Sequence, residues 1–163
     1  MQKIVLLLLL AGSLCFFSCF KKDTGCGYQD DKTIAPTTDQ QAVKKYLDSI
    51  GASATLHSSG FYYKIINPGS GPMPGVCSRV TVTYTGKLTN ESVFDQQTDA
   101  LFTLGGLIPG WKQGLPLISK GGEIMLYIPP SLGYGSMPQY YNGVLAIPAN
   151  SILIFDINLV NVQ

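Results

Sequence analysis

Residues 80–85 read Val-Thr-Val-Thr-Tyr-Thr, with an apolar side chain at every second position. Successive side chains of a strand point to opposite faces, so this run commits the chain to a sheet with one apolar and one polar face. The same period returns in Ile124, Leu126 and Ile128, and again in Leu153, Phe155, Ile157 and Leu159 within the β-rich run Ser151 to Val162. Phe61 to Ile66 is aromatic and β-branched, while Val93-Phe94-Asp95 and Leu101 to Leu104 are shorter strand candidates. An apolar sheet face has to be covered. Between the strands the chain offers one cover. Pro109 can start a helix, Gly121-Gly122 can end it, and Trp111, Leu115 and Ile118 are spaced to share its inner face. Pro116 removes a helical hydrogen bond, so that helix is expected to be short or kinked. The fold class that follows is α+β, an antiparallel sheet with one short helix inserted against it.

The first residues have the layout of an export signal. Lys3 supplies a short positive region, and Ile4 to Phe17 is an apolar run too short to span a bilayer comfortably. Ser18-Cys19 closes this run in a way that resembles a bacterial lipoprotein cleavage site, with Cys19 as the lipidated residue. Removal of a conventional signal would instead leave the protein free in the periplasm. Either route takes it out of the cytoplasm, and the expected location is the cell envelope, with membrane attachment through the lipid. Residues 19–37, polar and turn-rich, read as a flexible tether. Thr38-Asp-Gln-Gln41 has the form of a capping box. Val43, Tyr46, Leu47 and Ile50 then form an apolar stripe that Gly51 stops, so residues 38–51 are expected to be an amphipathic helix. The main domain is expected over residues 58–163.

Lys and Arg total 11 against 10 Asp and Glu, so no charge excess points to nucleic acid. Cys26 and Cys77 are compatible with a bridge in an oxidising compartment and equally with two free thiols. His57 is the only histidine, and Ser58-Ser59 beside it is no nucleophile elbow, so hydrolytic relays find no support. The scattered cysteines and isolated histidine match no metal-site spacing, and no cofactor is expected.

What remains is aromatic and apolar. Trp111, the chain's one tryptophan, and Tyr134 lie in stretches punctuated by Gly and Pro, and Asp95 directly follows Phe94. The blocks "VTVTYTGKL", "VFD", "GLIPGWKQGL", "GGEIMLYIPPSLGYG" and "IPANSILIFDINLVNV" resemble, in order, the signatures of FKBP-type peptidyl-prolyl cis-trans isomerases across roughly residues 60–163. The resemblance implies a bent antiparallel sheet wrapped around one short helix, with the substrate pocket between them. It places Tyr84, Asp95 and Tyr134 as the polar groups that act on the substrate. Phe94, Phe102, Leu107, Ile108, Trp111, Ile147 and Phe155 would form the apolar wall, with Trp111 as its floor. It also implies proline-containing unfolded or folding polypeptides as partners, with macrolide inhibitors as further ligands. The alternative is a chaperone or peptide-binding module that uses the same pocket with little turnover. Relative to compact members, the stretch Ser136 to Leu145 reads as a longer loop bordering that pocket.

Overall fold

The computed structural model describes residues 25–163; the expected signal peptide and Cys19 lie outside them. A six-stranded antiparallel sheet runs in the order β1-β2-β5-β8-β3-β4. Its strands are β1 (Thr55–Leu56), β2 (Tyr62–Asn67), β3 (Arg79–Lys87), β4 (Val93–Thr103), β5 (Glu123–Ile128) and β8 (Leu153–Val162). β6 (Gln139–Tyr141) and β7 (Val144–Ile147) form a separate hairpin. The period-two residues do what their spacing requires. Val80, Val82, Tyr84, Ile124, Leu126, Ile128, Leu153, Phe155, Ile157 and Leu159 are all buried in one core.

The helix that covers this core is α2 (Pro109–Gly114), continued by a 3-10 turn at Leu115–Leu117. It stops well before Gly121-Gly122, because Pro116 sits in the 3-10 turn and the chain is extended at Ile118. Trp111, Leu115 and Ile118 are nonetheless all buried in the core. The opposite sheet face is covered by α1 (Thr37–Ser49), whose Val43 and Leu47 pack with Tyr62, Tyr127 and Ile154. Ile50, expected on the same stripe, is 50% exposed because it lies just beyond the helix end.

The capping box does not form. The residue before the helix is Pro36, and no side chain caps it. Asp39 instead accepts the backbone N–H of Ser131 at 3.1 Å, and the Gln40 amide donates to the Ala35 carbonyl at 2.8 Å. The two strand candidates at 93–95 and 101–104 are one continuous β4. The loop expected at 136–145 holds the β6–β7 hairpin, turned at Asn142-Gly143, where both residues have positive φ (50° and 79°). That pair is the sequence signature of a type I′ turn.

The described part of the tether is not free chain. Cys26 and Cys77 form a disulfide, and Ala35 is buried in the main core. Between these two anchors the Asp31 carboxylate meets the Lys112 ammonium of α2 at 2.5 Å, with both side chains largely buried. Gln113 donates to Asp31 at 3.2 Å and to the Thr33 carbonyl at 3.0 Å. Polar residues such as Asp and Thr read as disorder when they lack partners, and here the partners sit some 80 residues further along.

Burial alone would raise the Asp31 carboxyl. Hydrogen bonds from Lys112 and Thr33, together with the Lys112 charge, overcome this and hold it at about 2 against an ordinary 3.8. Asp30, His57 and Lys112 line the same cleft. A carboxyl depressed in the folded state adds stability that is full above about pH 4 and is lost as pH falls through its folded value. The midpoint of urea unfolding should therefore drop between pH 5 and pH 2. Asp31→Asn should be less stable at pH 7 and show a flatter acid limb.

Candidate active site

Three separate stretches meet over the N-terminal end of α2. β3 contributes Tyr84, β4 contributes Phe94, Asp95 and Phe102, and the approach to α2 contributes Leu107 and Ile108. Trp111, Tyr134 and Phe155 complete the lining of one cavity of about 160 Å³. An apolar cavity of about 150 Å³ accepts a benzene ring, so this one has room for a five-membered ring.

Consecutive strand residues should point to opposite faces, yet Phe94 and Asp95 both line the cavity. Two irregularities in the β3–β4 register explain it. Val82 pairs with Ala100 but Tyr84 pairs with Gln97, which leaves one extra residue on β4 opposite Thr83. This bulge brings Asp95 opposite Gly86; with regular pairing Asp95 would have faced Lys87 and the other side of the sheet. Between Gly86↔Asp95 and Lys87↔Val93 a second shift leaves Phe94 as the extra residue. Its ring fills the space above Gly86, where a Cβ would lie 2.7 Å from Phe94 and 2.8 Å from Phe155.

Trp111 is the centre of the aromatic cluster. Tyr84 and Phe155 stand perpendicular to it at 5.1 Å, and Phe102 does so at 6.2 Å. Such edge-to-face pairs add about 0.5–1.5 kcal/mol each beyond the area they bury. The indole Nε1 is buried without a hydrogen-bond partner among the described residues, an arrangement that usually costs about 1–3 kcal/mol. The cluster is therefore built of ring contacts and offers the indole N–H no acceptor among the described residues.

The polar groups are few. The Tyr84 hydroxyl donates to the Asp95 carboxylate at 2.5 Å. Burial, reinforced by the Asp95 carboxylate, holds the Tyr84 hydroxyl far above its ordinary value. Burial and Asp95 also raise Tyr134. Both phenols thus keep their protons through the neutral range and can act only as neutral hydrogen-bonding groups. Pro109 starts α2, where its missing N–H is no loss. The Ile108 carbonyl accepts from Trp111 at 3.0 Å and Lys112 at 3.1 Å. The Ile108 N–H donates to no backbone acceptor among the described residues, which leaves a donor at the wall of the cavity.

Nine of the ten side chains expected at the site are among those lining this cavity. Ile147 is the departure: it is buried in the core beneath and is not among the lining residues. Asp95, expected inside the pocket, is an exposed residue at its mouth, because β4 is the sheet edge. An exposed apolar surface downstream of Tyr134 was not foreseen from the sequence. Met137, Tyr140, Tyr141, Val144 and Leu145 are all exposed on and beside the β6–β7 hairpin. The Asn142-Gly143 signal could have revealed that hairpin.

Comparison with known proteins places this geometry. The family described as FKBP-type peptidyl-prolyl cis-trans isomerase matches residues 71–160. The FKBP-type peptidyl-prolyl cis-trans isomerase FkpA of Escherichia coli K12 is 41% identical over 110 residues, 65% of this chain and 39% of that protein. FkpA of Buchnera aphidicola subsp. Schizaphis graminum is 42% identical over 126 residues, covering 74% and 47%. The chain thus spans less than half the length of these curated relatives. Among solved structures, E. coli FkpA superposes with a TM-score of 0.66 at 36% identity, over 77% of this chain and 60% of that one. A peptidyl-prolyl cis-trans isomerase of Pseudomonas syringae pv. tomato gives 0.66 at 30% identity, over 80% and 98%.

Trp111 can be tested as floor rather than filler. Trp111→Ala should cost about 3–5 kcal/mol of unfolding free energy, as truncation of a buried large aromatic does. Trp111→Leu keeps an apolar floor, so it should leave the domain folded while weakening the binding of a proline-containing peptide. A Trp111→Leu variant that binds the peptide as well as wild type would reduce Trp111 to a packing residue.

Proposed function

The chain belongs to the FKBP-type peptidyl-prolyl cis-trans isomerases, and from that premise we propose that it catalyses rotation about X-Pro bonds in exported polypeptides. The observation that carries this reading is the cavity itself: aromatic walls around a volume suited to a proline ring, with Tyr84, Asp95, Tyr134 and the Ile108 N–H as its polar fittings.

The chemistry needs little more. Rotation about the planar peptide bond faces a barrier of about 18–20 kcal/mol because amide resonance is lost on twisting. The planar form carries charge separation that water solvates well, and the twisted form carries less. Moving the bond into an apolar cavity therefore disfavours the ground state relative to the transition state. A 10⁵-fold gain in rate corresponds to about 7 kcal/mol. In this reading Trp111 carries the proline ring and Phe94, Phe102, Leu107 and Phe155 exclude water. Tyr134 and the Ile108 N–H donate to substrate carbonyls, while the Tyr84–Asp95 pair lies beside the carbonyl that precedes proline. Macrolide inhibitors would enter the same cavity.

A second reading, a binding module with little turnover, is favoured by the exposed apolar side chains of the neighbouring hairpin. A protease-coupled assay on a short X-Pro peptide separates the two, since a rate no higher than buffer would leave only binding. Within the isomerase reading, Asp95→Val should lower kcat/KM and leave the thermal midpoint nearly unchanged, because the residue is exposed at the mouth. Loss of stability with full activity per folded molecule would make Asp95 a structural residue.

We also propose lipidation at Cys19 and attachment to the cell envelope through that lipid, on the strength of Ser18-Cys19 closing the apolar run. Mass spectrometry of the mature N-terminus should find an acylated cysteine, and Cys19→Ala should leave the membrane fraction with its isomerase activity intact. An unmodified Cys19 or a retained Met1 would end the proposal.

A further inference from the structure

α2 has six residues, and isolated helices shorter than about 12 residues do not hold themselves together in water. The positions of Trp111 and of the Leu107–Ile108 wall must therefore be set from outside. On the inner side the core does this. On the outer side the cover is residues 26–35, a strap fixed at one end by the Cys26–Cys77 disulfide and at the other by buried Ala35, whose N–H donates to the Ser59 carbonyl at 2.8 Å.

The strap touches the wall-forming segment at both ends. At the start, the Tyr28 ring occupies the space over Gly105, where a Cβ would lie 2.3 Å from the Tyr28 Cγ. Only a residue without a side chain admits the ring there. The Gly105 N–H donates to Val76 at 2.8 Å, so the same loop is tied to the neighbour of disulfide-bonded Cys77. At the far end, Asp31 grips Lys112 and Gln113, the two residues after Trp111. Leu107, Ile108 and Trp111 lie between these grips and line the cavity. The Asp31–Lys112 pair is largely buried, so either partner left alone would be an uncompensated charge.

We infer that Tyr28 and Asp31 are positioning residues for the pocket, acting through Gly105 and through Lys112–Gln113 on the segment that bears Leu107, Ile108 and Trp111. This rests on the reading of the cavity as the X-Pro pocket. The strap does not touch substrate; it fixes where the wall and floor stand relative to Tyr84 and Asp95 on the sheet. A misplacement of about 1 Å in such a site can reduce turnover about 100-fold.

The test uses the full chain and its only indole. Tyr28→Ala and Asp31→Asn are compared with wild type, with Tyr28→Phe, which restores the ring, and with Gln29→Ala, an exposed neighbour, as control. Trp111 emission, excited at a wavelength where tyrosine is silent, and its quenching by acrylamide report the floor. A protease-coupled X-Pro assay reports kcat and KM, and urea unfolding reports whether the native state remains populated. The expected result is red-shifted, more quenchable Trp111 emission and a kcat/KM lower by about tenfold or more in both variants, with the native state intact and Tyr28→Phe close to wild type. Unchanged emission and unchanged kcat/KM in both variants overturn the inference, as does shifted emission with full kcat/KM. Should Tyr28→Ala fail to fold, the nearly isosteric Asp31→Asn decides alone. If wild type itself is no faster than buffer, the isomerase reading fails separately, and the Trp111 response of the variants still decides whether the strap holds the floor.

Discussion

A six-residue helix has to cover the core-lined face of a six-stranded sheet, and it approaches the strands very closely. Gly110 and Gly114 make that approach possible. A Cβ at Gly110 would lie 2.6 Å from the Ile128 side chain, and one at Gly114 2.8 Å from Leu126. With the helix backbone pressed onto β5, Trp111 stands among Tyr84, Phe102 and Phe155 at the floor of the cavity. A longer helix or one held further off would fill the cavity or open it to water. The height of the pocket floor therefore depends on the helix–sheet distance, which the two glycines allow to be short.

The pocket's electrostatics follow from the same burial. Tyr84 and Tyr134 are pushed up because their charged forms would be poorly solvated against the aromatic walls and repelled by Asp95. Asp95 is exposed because β4 is the edge strand, so the site joins an exposed carboxylate to an aromatic-walled cavity through the Tyr84 hydroxyl. That asymmetry suits the proposed reaction, in which a polar, planar amide gives up charge separation on twisting. No proton has to leave either phenol.

Much of this was legible in the sequence, for a physical reason. Period-two patterning in 80–85, 124–128 and 153–159 reports directly which side chains face the core, and those residues are buried. The aromatic set could be read because its members sit beside Gly, Pro or strand ends rather than inside uniform apolar runs. Register could not be read. Nothing in Val-Phe-Asp-Gln-Gln-Thr-Asp announces two bulges, since a bulge is a property of the pairing with β3 and not of β4 alone. Partnered polarity was also invisible. Asp31, Thr33 and Gln113 are unremarkable in composition and far apart in sequence, so the segment around Asp31 reads as tether until the fold brings Lys112 beside it. The capping box at Thr38 failed because the helix starts at Thr37 after Pro36, which places Thr38 inside the first turn, and Asp39 beside it found its partner in Ser131, 92 residues away.

The features that escaped the sequence share one task. A cavity built from a strand pair, an edge strand and a helix start has to bring together side chains whose local geometry would send some of them elsewhere. Regular alternation would send Asp95 to the far face of the sheet, and the bulge opposite Thr83 corrects it. A six-residue helix would drift on its own, and Tyr28 and Asp31 hold its approach and its outer side. The core residues decide that the domain folds, because the period-two pattern specifies which side chains are buried. The bulges and the strap act on what that pattern leaves open, the placement of Asp95 and of the helix start around a cavity of about 160 Å³.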